Sequence, residues 1–171
     1  MPGYLLDTQT IRYWSDGQSG RFPVVQRAAE ERRSKGPLYV SAITLGEFEY
    51  GRSAHPAGDG VARDEFTKFL RGELPQVLSI SKHTAAPYGR IRAKLVEKFP
   101  PPGGWSNKKR AEQLYDPIAA LDFGFDENDL WLVAQAIERN LVLVTNDRMT
   151  RIKEAVREIQ PSFAFENWTT A

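Results

Sequence analysis

Cysteine is absent from the 171 residues, and histidine occurs only twice, as His55 and His83. The first absence excludes disulfides and thiolate metal sites, and the second leaves too few imidazoles for a typical structural zinc site. Any metal must therefore rest mainly on oxygen, which suits hard cations such as Mg²⁺ or Mn²⁺. No apolar run reaches membrane-spanning length, so no membrane role is expected. The opening Met1-Pro2-Gly3-Tyr4-Leu5-Leu6-Asp7 lacks the basic segment and long apolar stretch of a signal peptide, and a cytoplasmic location is expected. An excess of either charge is missing too: 23 Lys+Arg against 22 Asp+Glu leave a net charge of +1. That balance neither shows nor excludes a nucleic-acid partner, because the two signs can be segregated on opposite faces.

What is present suits one globular domain over 1–171, with 41% hydrophobic and 26% charged residues. Short apolar runs read as buried strands: Tyr4-Leu5-Leu6, Leu38-Tyr39-Val40, Val77-Leu78 and Leu141-Val142-Leu143-Val144. Between them lie helical periods through Ala62, Phe66, Phe69 and Leu70, through Tyr88, Ile91 and Leu95, through Leu130, Val133, Ala134 and Ile137, and through Ile152, Ala155, Val156 and Ile159. Alternating strands and helices predict βαβ units, hence an α/β fold in three layers around a mainly parallel sheet. Phe163-Ala164-Phe165, after the helix-ending Pro161, is expected to add an edge strand. One stretch breaks the rhythm. Pro100-Pro101-Pro102-Gly103-Gly104, followed by Trp105 and the Lys108-Lys109-Arg110 run, opens a Pro/Gly-rich and basic excursion from 100 to about 125, which is either a solvated loop or a contact surface for RNA or a partner.

Four acids have ordinary local explanations. Asp7 ends the first strand where a helix N-cap is wanted. Glu47 follows Thr44 in the Thr-x-x-Glu spacing of a capping box. Asp129 belongs to the acidic cluster Asp126-Glu127-Asn128-Asp129, where the helix dipole favours negative charge. Asp147 stands between the strongest strand and the next helix, again a cap position. Those explanations leave out that all four fall at one end of the architecture, just after a strand or in the first turn of a helix leaving that end. In a parallel sheet those places converge, at the edge where open α/β folds put their sites. Carboxylates gathered there repel one another. A divalent cation removes the conflict and supplies the chemistry of metal-assisted phosphodiester hydrolysis. On this reading Asp7, Glu47 and Asp129 are the main ligands, and Asp147 completes the site or acts through water. Arg12, Arg90, Arg92, Lys108, Lys109 and Arg110 are the candidate cations for an RNA backbone. Trp14 and Trp131 are expected in the core.

The residues that carry this pattern are Tyr4-Leu5-Leu6-Asp7-Thr8, Ser41-Ala42-Ile43-Thr44-Leu45-Gly46-Glu47, Asn128-Asp129-Leu130-Trp131-Leu132-Val133-Ala134 with Ala136, Val144-Thr145-Asn146-Asp147, and a closing Glu166-Asn167-Trp168. In order and spacing they resemble the PIN domains, and more narrowly the VapC-type toxins of toxin-antitoxin systems. The resemblance implies a Mg²⁺-dependent endoribonuclease with Asp7, Glu47, Asp129 and Asp147 as catalytic and metal-holding acids, and with Thr145 and Asn128 as polar support. It implies a cognate antitoxin that lays a segment, often with a basic side chain, over the acids, and it implies a homodimer. Two departures touch substrate choice and dimer geometry: the 100–125 excursion is long for the family, and Met149-Thr150 stand where an acidic residue and Phe often follow.

Other readings meet specific obstacles. Asp7-Thr8-Gln9-Thr10 is close to the opening of haloacid-dehalogenase-like phosphatases, yet Gln9 replaces the second Asp and Ile11 the following Thr/Val. A signalling receiver domain needs an adjacent acidic pair after the first strand, and none follows Leu6. Serine-histidine catalysis is set aside because His55 precedes Pro56 in a turn-like stretch and no nucleophile motif accompanies His83. A PIN-like binding module acting only through a partner complex is the first alternative, against which the intact acids argue, and a carboxylate-dependent phosphatase stands behind it.

Overall fold

The computed structural model describes residues 2–54, 68, 69, 72, 76–100 and 126–170 of the chain. Among them the elements run β1 (Tyr4–Leu6), α1 (Thr8–Ser15), α2 (Phe22–Arg33), β2 (Leu38–Ser41), α3 (Ala42–Ala54), β3 (Gln76–Leu78), α4 (Ala85–Lys98), α5 (Glu127–Glu138), β4 (Val142–Val144), α6 (Thr150–Ile159) and β5 (Phe165–Glu166). The five strands form one sheet in the order β3-β2-β1-β4-β5, every pairing parallel. The expected α/β class is what the chain adopts. The edge strand at the C-terminal end is shorter and slightly later than expected, at Phe165–Glu166, because Phe163 closes a turn onto Gln160 before the pairing with β4 begins. The helical period through Ala62, Phe66 and Leu70 lies outside the described residues, as does the excursion from 101 to 125.

Side-chain alternation divides the core into two layers. Leu5 and Leu143 point to one face, where α4, α5 and α6 bring Ile91, Leu95, Leu130, Val133, Ile152 and Val156. Tyr4, Leu6, Val142 and Val144 point to the other, against Ile11, Trp14, Val25, Ala29 and Trp168. The central strands β1 and β4 are wholly apolar because both of their faces are covered, as the middle of a parallel sheet requires.

Two local devices deliver the site. Asn140, with φ 52°, ends α5 in a Schellman turn: Leu141 N–H reaches Ala136 C=O at 2.8 Å and Asn140 N–H reaches Ile137 C=O at 3.2 Å. The turn feeds the chain directly into β4, and so fixes where β4 ends. At the other edge, Glu166 accepts from Arg32 Nε at 3.0 Å and from Trp168 Nε1 at 2.8 Å, tying the two-residue β5 to α2.

Candidate active site

Sheet order reverses at β1, whose neighbours β2 and β4 are reached by connections running in opposite directions. Such a switch point leaves a crevice beyond the carboxyl ends of the two central strands. Asp7 is the first residue past β1. Its N–H donates to Val144 C=O at 3.0 Å, joining the ends of β1 and β4, and its Oδ1 accepts from Thr10 N–H at 2.6 Å as the N-cap of α1. The cap expectation holds, but a cap is normally solvated and Asp7 is only 4% exposed. Burial pushes its carboxyl above the ordinary value, partly opposed by hydrogen bonds from Thr10 and Thr145, and the charge of Asp147 pushes in the same direction as burial.

Glu47 is not part of a capping box. α3 already begins at Ala42, with Ser41 Oγ accepting from Ile43 N–H at 3.1 Å, so Thr44 lies inside the first turn, fully buried, and Glu47 comes about one turn later. Its carboxylate is held from two other elements: Oε2 accepts from the Thr8 hydroxyl of α1, and Oε1 accepts from Asn128 Nδ2 of α5 at 2.6 Å. Asp126 caps α5 by accepting from Asn128 N–H at 2.7 Å, which leaves Asp129, a turn position further in, without a capping task. Burial, then the negative charges of Asp126, Asp147, Asp7 and Glu47, raise the Asp129 carboxyl to about 7. Asp147 also departs from the expected cap: α6 starts from Met149, a non-glycine residue at φ 40°, and Asp147 occupies the turn before it. There its N–H donates to Thr145 Oγ1 at 3.0 Å, its C=O accepts from Lys153 Nζ at 2.8 Å, and its carboxylate is exposed.

The structure thus brings Asp7, Glu47, Asp129 and Asp147 to one crevice, close enough for each of the other three to act on Asp129. The two expected supports lie beside them, Thr145 serving Asp7 and Asp147, and Asn128 holding Glu47. An all-oxygen donor set with buried, mutually repelling charge fits a hard divalent cation. Among the described residues no three of these side chains are drawn in tightly enough to share one ion. Each of two acids has its own fastening, Asp7 to Thr10 and Glu47 to Thr8 and Asn128.

The expected cations divide. Arg12 is exposed, its guanidinium 5.6 Å from the Phe48 ring centroid beside Glu47. Arg90 is exposed on α4. Arg92 pairs with Glu127 and donates to the Tyr88 hydroxyl, bracing α4 against the start of α5. Lys108, Lys109 and Arg110 lie outside the described residues. Trp14 is in the core, whereas Trp131 is only half-buried and stacks on Tyr88 at 4.0 Å, since its position on α5 faces α4 rather than the sheet. Two site residues escape a reading of the sequence: Thr8, hidden as an ordinary first-turn residue, and Lys153, which has the spacing of a solvated helix lysine.

Fold and acids together define a doubly wound α/β protein with an acid-lined crevice at its switch point. The sequence matches the PIN-domain family model over residues 4–155, and the chain belongs to that family. A search of curated proteins finds no match. Among solved structures the chain is similar to VapBC2 from Rickettsia felis bound to a DNA fragment from their promoter, at 22% identity and a TM-score of 0.65, covering 97% of this chain and 98% of that one. It is also similar to FitAcB from Neisseria gonorrhoeae, at 18% identity and a TM-score of 0.62, covering 98% of this chain and 99% of that one. A third is VapBC-1 from nontypeable Haemophilus influenzae, at 20% identity and a TM-score of 0.61, with 98% and 99% covered. At these identities the likeness is one of fold.

Proposed function

We propose that the protein is a Mg²⁺-dependent endoribonuclease, the toxin of a toxin-antitoxin pair, with Asp7, Glu47, Asp129 and Asp147 as its catalytic acids. The observation that carries the reading is the meeting of four acids from four separate segments at the switch point of a PIN fold, with Asp129 raised to about 7 by burial and by the other acids. Nuclease activity is typical of the family, and the solved structures of like fold include VapBC assemblies.

Asp7, Asp129 and Glu47 are the residues that would hold Mg²⁺ or Mn²⁺, with Asp147 at the exposed rim. Bound there, the cation supplies Lewis-acid polarisation of a phosphoryl oxygen and acidifies water. The chain's own part is orientation. Thr8 and Asn128 hold Glu47 from both oxygens, Thr10 and Thr145 hold Asp7, and the Thr145 hydroxyl and Lys153 ammonium grip the peptide groups on either side of the Asp147 side chain. Burial of Asp7 and of part of Asp129 excludes water from the floor of the crevice and strengthens every charge interaction within it. The cognate antitoxin and a second copy of the chain are the proposed protein partners, and inhibition of translation by RNA cleavage is the proposed outcome.

The test is cleavage of a panel of labelled structured RNAs by purified protein, with Mg²⁺ or with EDTA. Cutting that needs Mg²⁺ and disappears in both Asp7→Asn and Asp129→Asn, with circular dichroism unchanged, supports the reading. Cutting that survives either substitution refutes the site. No cutting of any RNA favours a module that acts only by binding.

A further inference from the structure

An acid-lined crevice that receives RNA must also meet the negative charge of the strand. Two described cations near the acids are otherwise committed or loosely placed: Arg92 is paired with Glu127, and the Arg12 guanidinium lies over Phe48. Lys153 differs. It sits in α6 just after the Asp147 turn, half-buried, with Nζ bonded to Asp147 C=O at 2.8 Å and lying 5.2 Å from the centroid of the Phe165 ring. The bond and the ring hold the ammonium on one side of the crevice, where the charges of Asp147, Asp7 and Asp129 act on it. An ammonium has three N–H donors. One is spent on Asp147, and the other two have no hydrogen-bond acceptor among the described residues.

We propose that Lys153 is an RNA-binding residue of this site, its ammonium contacting a backbone phosphate of a single strand laid across Asp7, Asp129 and Asp147. The assignment rests on the ribonuclease reading and adds a residue to it. A compact point charge with unspent donors is suited to a phosphate oxygen. Its fastening to Asp147 C=O keeps it beside the acids, so that a phosphate bound by Lys153 is also delivered to them. The aromatic ring beneath it limits where the ammonium can go and reduces the entropy lost on contact.

The experiment measures binding of a short fluorescein-labelled single-stranded oligoribonucleotide by anisotropy over a range of salt concentrations. Asp7→Asn serves as the non-cutting parent, and Lys153→Met and Lys153→Arg are placed on it. Lys153→Met is expected to weaken binding by about tenfold and to reduce the slope of log affinity against log salt by ~0.7, the share of one phosphate contact on a single strand. Lys153→Arg keeps both, and the melting temperatures of the three proteins agree. Unchanged affinity and slope in Lys153→Met overturn the proposal. A loss of affinity with an unchanged slope overturns it as well, since Lys153 then acts only by bracing the Asp147 turn. Failure of the ribonuclease reading is separately visible: the wild-type protein then cuts no RNA with Mg²⁺, whatever the lysine variants do.

Discussion

Asp129 is the residue on which the competing forces at the crevice are most legible. Its carboxyl is raised to about 7 because burial and four acidic neighbours oppose ionisation. Replacing it by Asn removes a charge that the fold must otherwise carry at neutral pH. Asp129→Asn is therefore expected to raise the stability of the metal-free protein at pH 8, by about 1–3 kcal/mol on the scale of such shifts, while abolishing RNA cleavage. Urea denaturation in EDTA and the cleavage assay read the two effects, and a destabilised, still active variant contradicts the account. Thr8 is the quieter partner. Its hydroxyl donates to Glu47, so Thr8→Val leaves one carboxylate oxygen without its donor and is expected to lower kcat/KM by about 10- to 100-fold, with little change in melting temperature. Neither contact can be seen in sequence, since the Thr8–Glu47 and Asn128–Glu47 hydrogen bonds span 39 and 81 residues. Asn128 was legible as support through the resemblance alone. Lys153 was not legible, because a lysine on an amphipathic helix looks the same whether its head meets water or a backbone carbonyl beside an aromatic ring.

Among the elements, the strands were the easiest to read: short apolar runs leave little ambiguity, and β1, β2, β3 and β4 fall within a residue of their expected positions. The caps were harder. A Thr-x-x-Glu spacing and an Asp before a helix satisfy local rules wherever the helix starts, and α3 starts two residues before Thr44 while α6 starts three after Asp147. Ser41 and Met149 took the positions that Thr44 and Asp147 were expected to hold. The Schellman turn at Asn140 gives an element-scale test. At φ 52° an Asn is tolerated, Gly is better and a β-branched residue is strained. Asn140→Gly is expected to stabilise by up to about 1 kcal/mol and Asn140→Val to destabilise by roughly 1–2 kcal/mol, both measurable by urea denaturation. In β4 itself, Leu143 is fully buried, and Leu143→Ala is expected to cost about 2–5 kcal/mol in the same measurement.

For the whole molecule, the crevice sets the pH dependence of the metal-free state. Asp129, with a raised carboxyl, binds its proton more tightly folded than unfolded. Between the unfolded value of 3.8 and the folded value of about 7, the native state holds a proton that the unfolded chain has lost, so stability falls as pH rises through that window. Asp7, raised as well, contributes with the same sign. The melting temperature in EDTA is thus expected to decline from about pH 5 to about pH 8, and Asp129→Asn is expected to flatten that decline. A profile that instead rises over this range places the proton elsewhere. No helix among the described residues is long and apolar enough to cross a membrane.

The central pairing of β1 with β4 sets Leu6 beside Val144, and the Asp7 N–H bond to Val144 C=O closes the same seam. Asp7 and Asp147, the first and last acids in the sequence, are therefore neighbours in space although 140 residues (147 − 7) separate them along the chain. A ribosome making this chain exposes Asp7 before β4 and has nothing to set beside it until β4 emerges. The crevice cannot assemble before β4 has been made, and until then the nascent chain carries its acids apart.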